Sequence, residues 1–264
     1  MLRPRIIPCL LVHNKGLVKT VKFKNPKYVG DPINAVRIFN EKEVDELIVI
    51  DIDATTKNIP PDFKMIENLA AECRMPLCYG GGIKTVDQAN TILGLGVEKI
   101  AISSAAVENP DLIKKIAEQV GNQSVIVVLD VKKSSFLGKY EVWTHNAQKN
   151  CKRNPIELAE LAESLGAGEI VVNSIDHDGV MDGYDLDLAE RIRQSVNIPI
   201  TILGGAGSLD HLSEAIRKFQ ILGIAAGSLF VFKGPYRAVL INYPNREEKD
   251  LLIKNNYKNV INHL

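Results

Sequence analysis

The residues of this chain best suited to acid–base chemistry stand at the ends of short apolar runs. Asp51 and Asp53 close ELIVIDI, Asp130 closes SVIVVLD, and Asp176 follows GEIVVNSI. A carboxyl group in that position is partly desolvated, which raises its pKa toward the range useful for proton transfer, and Asp130 is the strongest candidate. Asp53 reads better as a group that orients a loop or caps a helix. Anion chemistry is suggested by Gly80-Gly81-Gly82, which leads into Ile83-Lys84-Thr85, and by Gly204-Gly205-Ala206-Gly207-Ser208 further along. Missing side chains let an anion reach backbone N–H groups, and a helix starting there adds a favourable dipole. Ser103-Ser104 and Gly227-Ser228 end the neighbouring runs and add hydroxyl donors. One cradle then comprises Gly82, Ser103 and Ser104, the other Gly205, Gly227 and Ser228, and two cradles suit a ligand with two phosphates or phosphate-like groups. Glycines alone could simply make tight turns, but their recurrence beside serines favours the cradle. The Asp178-Gly179 loop, with Gly183, either closes over the second phosphate or is a turn. Lys19 stands among Lys15, Lys22 and Lys24; these read as solvated surface lysines or as a mobile basic lid.

Eight β-rich runs position these groups: IIPCLLV, ELIVIDI, MPLCY, EKIAIS, SVIVVLDV, GEIVVNSI, IPITIL and ILGIAA. Helical patterns alternate with them. Asp31-Pro32, Asn109-Pro110 and Asn154-Pro155 each place a polar N-cap before proline at the first helical position. Strand–helix–strand units imply parallel pairing. The chain also repeats itself at an offset of 123, which lays Pro32 on Pro155, Glu46 on Glu169, Asp53 on Asp176, Asp62 on Asp185, Pro76 on Pro199 and Gly82 on Gly205. A constant offset indicates duplication of a four-strand unit. The expected fold is an α/β (β/α)8 TIM barrel of two homologous half-barrels, about 1–120 and 121–243, with a polar tail over 244–264 that ends as a surface helix and a loose terminus. An open doubly wound sheet is the alternative, but its halves need not match in this way.

Barrels of this kind carry their site at the carboxyl ends of the strands. At the opposite ends sit Arg5, Glu46, Lys99 and Glu169, two charges of each sign that form either an ordinary ion network or a gate at the mouth of the barrel interior. Thirty-two basic against 32 acidic residues give no electrostatic reason to expect nucleic acid or membrane binding. Four cysteines without CxxC spacing and five isolated histidines give little support to a metal site, and no cofactor is expected. Reduced thiols and the absence of a secretory leader point to the cytoplasm.

RIIPCL at 5–10, GDP at 30–32, VDELIVIDIDA at 44–54, YGGGIKT at 79–85, AAVENP at 105–110, GAGEIVVNSIDHDG at 166–179 and GGAGS at 204–208 resemble, across nearly the whole chain, the HisF family, the cyclase subunit of imidazole glycerol phosphate synthase. The resemblance implies a barrel that receives ammonia from a HisH-like class I glutaminase docked on the amino face, as a heterodimer, and passes it to a bis-phosphate substrate. It assigns the ammonia gate to Arg5, Glu46, Lys99 and Glu169, and the partner interface to Glu98. Phosphate binding falls to Gly82, Ser103 and Ser104 at one site and to Asp178, Gly179, Gly205, Gly227 and Ser228 at the other. Asp130 and Lys19 match catalytic residues. The family's other catalytic Asp is replaced by Leu11, and two usually polar positions of the ammonia path by Cys78 and Leu203. That departure, with GSLFVFKG and RAVLINYP late in the chain, resembles the WbuZ-type subgroup associated with amidine formation on amino sugars of surface polysaccharides, in which a separate sugar amidotransferase receives the ammonia. A histidine-pathway cyclase is the alternative, followed by a phosphate-binding scaffold that activates the glutaminase; an isomerase of the HisA type fits the gate and interface residues least.

Overall fold

Runs dominated by Val, Ile and Leu are buried on both faces when helices cover one side and a barrel interior lies on the other. A computed structural model, which describes residues 3–134 and 138–256, places all eight runs in that setting. The strands are β1 (Arg5–His13), β2 (Leu47–Asp51), β3 (Leu77–Gly80), β4 (Lys99–Ile102), β5 (Val125–Lys133), β6 (Glu169–Ser174), β7 (Ile200–Leu203) and β8 (Gly223–Ala226). Each pairs in parallel with its successor, and β8 returns to β1. The sheet therefore closes as a (β/α)8 barrel, and the open alternative is excluded.

The covering helices are α1 (Pro32–Glu41), α2 (Phe63–Glu72), α3 (Val86–Gly94), α4 (Asp111–Val120), α5 (Pro155–Ser164), α6 (Leu186–Ser195), α7 (Leu209–Phe219) and α8 (Arg246–Asn256). Their apolar stripes pack outside the strands in a continuous core that includes Phe39, Ile66, Ile92, Ile116, Leu188 and Ile216. A second, smaller cluster fills the bore: Ile7, Cys9, Ile48, Cys78, Ala101, Ile126, Val171 and Ala225, with Leu11, Ile50, Val128 and Leu203 packed on it.

The 123-residue offset is visible in local geometry. Helices α1 and α5 start on Pro32 and Pro155, capped by Asp31 and Asn154, whose side chains accept from the backbone N–H of Asn34 and Ile156. Asp62 and Asp185 cap α2 and α6 with nearly the same backbone angles, φ −78 and ψ 86 against φ −75 and ψ 83. The Asn109-Pro110 pair behaves differently: α4 begins at Asp111 and no side chain caps it, and Asn109 instead presents its backbone carbonyl to Leu112 N–H.

One further expectation is corrected. The segment carrying Lys19 is an antiparallel hairpin, Gly16–Val21 against Lys24–Gly30, that extends β1. Burial along GLVKTV explains this, because Leu17, Val18, Lys19 and Thr20 are all buried. The chain after Tyr243 forms a mostly exposed helix over most of its described length, anchored at one buried lysine. Lys249 of α8 is buried and pairs with Asp45 at 2.7 Å, and Tyr243 donates to the Ile6 carbonyl. The expected loose terminus, 257–264, lies outside the described residues. Among those described, no helix is long and apolar enough to cross a membrane.

Candidate active site

The strand ends deliver their functional groups into one cavity at the carboxyl face. It is lined by Leu11, Lys19, Gly82, Ser103, Ser104, Asp130, Asp178, Gly179, Gly205, Gly227 and Ser228, every cradle and catalytic position expected from sequence. Asp51 and Asn173 also line it, while Asp53 and Asp176 do not.

Two glycine turns shape the cavity. Gly82 has φ +73, and a methyl group there would lie 2.8 Å from Ala54 Cβ; Gly205 has φ +113, and a methyl group would run into the Gly183 carbonyl. Only glycine meets both demands without strain. Beside them, short helices start at Ser104 and Ser228. Ser104 Oγ accepts from His145 N–H at 3.2 Å, which leaves its own O–H available to a ligand. Ser228 is 3% exposed, and its Oγ has no hydrogen-bond partner among the described residues. A buried hydroxyl without a partner is costly, and an anionic oxygen would satisfy it.

Asp130 sits between the cradles. It keeps some contact with the cavity, but protein surrounds it closely enough for burial to push its pKa up to about 6, and the Asp178 charge adds to that rise. Asn173 Nδ2 donates to Oδ1 at 2.8 Å and Ser103 Oγ to Oδ2 at 3.3 Å, and both bonds pull the other way. The Ser103 hydroxyl, expected in the phosphate cradle, is thus turned toward the carboxylate. The other acidic candidates have different tasks. Asp51 accepts from the N–H groups of Asp53 and Ala54. Asp53 ties His13, Asn14 and Lys57 together, the loop-orienting role expected of it. Asp176 accepts from Lys133 N–H.

Lys19 donates to Asp178 at 2.6 Å, and Thr20 bonds the same carboxylate at 2.9 Å. Both partners are buried, so the pair pins the hairpin to the loop after β6 in place of a freely mobile lid. The Asp178 carboxylate faces this lysine, and its backbone N–H and carbonyl bond Ile175 and Lys22.

At the amino end Arg5, Glu46, Lys99 and Glu169 form a closed ring. Arg5 pairs with Glu46 and, at 2.7 Å, with Glu169; Lys99 pairs with Glu46 at 2.9 Å and Glu169 at 3.1 Å. Burial alone would raise the Glu169 pKa, but Arg5 and Lys99 outweigh it and hold the group below the ordinary range. Burial opposes the charge on Lys99 too, and Glu169 and Glu46 outweigh that, so its pKa rises. Glu98 stands exposed beside the ring. Above the ring the bore is apolar. Cys78 and Leu203 lie in it, and burial pushes the Cys9 thiol up to about 12 and the Cys78 thiol well above its usual value. Among the described residues no group of three or more His, Cys, Asp or Glu could hold a metal ion.

Sequence reasoning missed Asn173. Its signal was an amide at an inward-facing position of the otherwise apolar EIVVNS strand. It also missed Thr201, which donates to Glu169 from within the ring.

Fold and cavity together define a (β/α)8 barrel with a glycine- and serine-lined cavity at its carboxyl face and an ion-pair ring at the other end. Residues 5–236 match the family described as "Histidine biosynthesis protein", and the chain belongs to it. It is 57% identical over 252 residues, 96% of this chain and 99% of the relative, to a chain of Leptospira interrogans named "Putative imidazole glycerol phosphate synthase subunit HisF". A Pseudomonas aeruginosa relative whose name ends in hisF2 is 52% identical over 251 residues, 95% of this chain and 100% of the relative. The imidazole glycerol phosphate synthase subunit HisF of Exiguobacterium sibiricum is 39% identical over 226 residues, 86% of this chain and 90% of its own.

Proposed function

We propose that this chain is a HisF-like synthase subunit that takes ammonia from a HisH-like glutaminase at its amino face and delivers it through the bore to the cavity, in amidine formation on an amino sugar of a surface polysaccharide. The glutaminase docks over the ring, with Glu98 at the contact, and the ring gates the bore. The apolar lining above the ring suits a neutral molecule and disfavours an ion. Gly82 and Ser104, with the Ser103 backbone, hold one phosphate-like group of a substrate or effector; Gly205, Gly227, Ser228 and the Gly179 backbone beside Asp178 hold the other. Asp130 is the acid–base group and Lys19 orders the second cradle. A separate sugar amidotransferase receives the ammonia, and the complex works in the cytoplasm without a cofactor.

The observation that carries this reading is the pairing across the cavity mouth. Leu11 faces Ile50 in the β1–β2 register, so the strand-1 position that corresponds to Asp130 offers no proton-transferring group. Loss of a principal acid–base group removes about 10² or more in rate, which disfavours ring closure in the histidine pathway. The test is turnover of the ribulosyl aminoimidazole bis-phosphate with saturating ammonium, for wild type and Leu11→Asp. Inactive wild type and a variant that gains turnover support the proposal. Wild-type turnover near an ordinary enzymatic rate, about 1 s⁻¹ or faster, overturns it in favour of a histidine-pathway cyclase, the activity named for the Exiguobacterium sibiricum relative.

A further inference from the structure

Among the described residues, four carboxylates line the cavity: Asp51, Glu108, Asp130 and Asp178. Three of them are each held by at least one group that can only donate. Asp51 accepts from two backbone N–H groups, Asp178 from the Lys19 ammonium and the Phe23 N–H besides the Thr20 hydroxyl, and Glu108 from Lys149 at 2.7 Å. Such fixed donors favour the charged form. Asp130 is different. Its partners are the Ser103 hydroxyl and the Asn173 amide, and each can reverse its sense, the hydroxyl by rotating and the amide by turning its oxygen to where its nitrogen was. Asn173 also has a spare acceptor in place, since its Oδ1 is buried without a partner among the described residues.

We infer that Asn173 is a positioning residue that works through Asp130, its amide donating Nδ2–H to the carboxylate and turning over to accept the O–H of the carboxylic acid. Ser103 follows the same reversal at the other oxygen. When Asp130 takes up a proton, the group that gains the O–H needs an acceptor, and the unused Asn173 Oδ1 provides it after a half-turn. Neither protonation state then leaves Asp130 without a partner, so one carboxylate can both accept and return a proton where Leu11 offers no second one. The other ionisable groups around Asp130 do not compensate its charge directly. Across the mouth stands Asp178, already paired with Lys19, and Cys9 on β1 keeps its thiol protonated under burial. This inference rests on the assignment of Asp130 as the acid–base group, but its test needs neither substrate nor glutaminase.

The experiment is an NMR titration of the full chain, labelled with ¹³C and ¹⁵N, between about pH 4 and pH 8. It follows the Asp130 carboxyl carbon and the Asn173 side-chain amide. We expect the Asn173 amide signals to move with the Asp130 midpoint, and to lose that movement in Asp130→Asn. Asn173→Val, which offers no donor, should raise the Asp130 midpoint by about one pH unit, whereas Asn173→Thr, with a reversible hydroxyl, should stay close to wild type. Asn173 signals that stay flat through the Asp130 transition overturn the inference, and so do Val and Thr variants that titrate alike. The wild-type measurement decides the matter even if a variant fails to fold. Ring-closing turnover by wild type would overturn the amidination reading and leave this titration result standing.

Discussion

The two halves of the barrel present the same three-strand register at the cavity mouth and fill it with opposite chemistry. In the first half Leu11 pairs with Ile50, and Ile50 with Gly80; in the second, Asp130 pairs with Asn173, and Asn173 with Leu203. Both leading strands have nine residues, and both are prolonged by an antiparallel hairpin. Shared backbone therefore does not impose shared function. At these register positions the first half is apolar, and the second holds the one cavity carboxylate whose side-chain partners can both reverse their sense.

Replacing the polar half's acid should have the largest effect. Asp130→Asn is expected to lower ammonia-dependent turnover by about 10² or more, measured with the natural ligand at saturating ammonium. The same change should stabilise the fold at neutral pH. Because the folded pKa of Asp130 is raised from 3.8 to about 6, the folded state prefers the neutral acid, and wild type loses stability as pH rises through that window. After a discount for water in the open cavity, the variant should gain about 1–2 kcal/mol above pH 6 and little below pH 4, read from denaturant midpoints. A gain that did not depend on pH would contradict the burial assigned to Asp130.

The cradles allow a second comparison. Gly205→Ala must force a side chain into φ +113 against a carbonyl and should cost about 3 kcal/mol as well as anion affinity, checked by thermal unfolding with and without inorganic phosphate. Gly227→Ala meets the Lys19 side chain, 2.9 Å from Cε, and the Cys9 carbonyl at 3.2 Å, and should cost less, about 1–2 kcal/mol, because Lys19 can give way only by loosening its Asp178 pair. Equal losses would show that Lys19 is less adaptable than its hairpin geometry suggests.

Rebuilding the first half to resemble the second sharpens the contrast at smaller magnitude. Ile50→Asn alone places an unpartnered amide beside Leu11 and should cost about 1–2 kcal/mol. Combined with Leu11→Asp it gains a carboxylate partner, so a double-mutant cycle should return a favourable coupling of about 1 kcal/mol. No coupling would mean that the two strand ends are not in contact as their register implies. The smallest effect on the chain itself is expected at the opposite end. Glu98→Lys, at an exposed position, should change stability by about 0.5 kcal/mol or less while weakening glutaminase binding, measured by calorimetry with the purified partner.

Much of this was legible in the sequence for a physical reason: the signals are local. Apolar runs of four to nine residues mark the barrel strands, Asp31, Asn154, Asp62 and Asp185 cap helices with their own side chains, and glycines stand where φ must be positive. Strand ends then followed from the fold, so Asp130, the cavity-lining glycines and serines and the four ring charges could be named by position. Lys19 could not be placed correctly, because a lysine in a basic segment looks solvated until its partner, 159 residues away, is brought beside it. Asn173 was invisible for the same reason, its meaning residing in an Asp130 contact across 43 residues.

By itself, then, the sequence determined the strand and helix order, the duplication and the chemical types available at each strand end, since these depend on neighbours a few residues apart. Only the tertiary structure decided which charges neutralise one another and which carboxylate remains free to change its protonation. Closing the barrel sets those distances, and electrostatic and hydrogen-bond energies depend on distance and burial rather than on spacing along the chain.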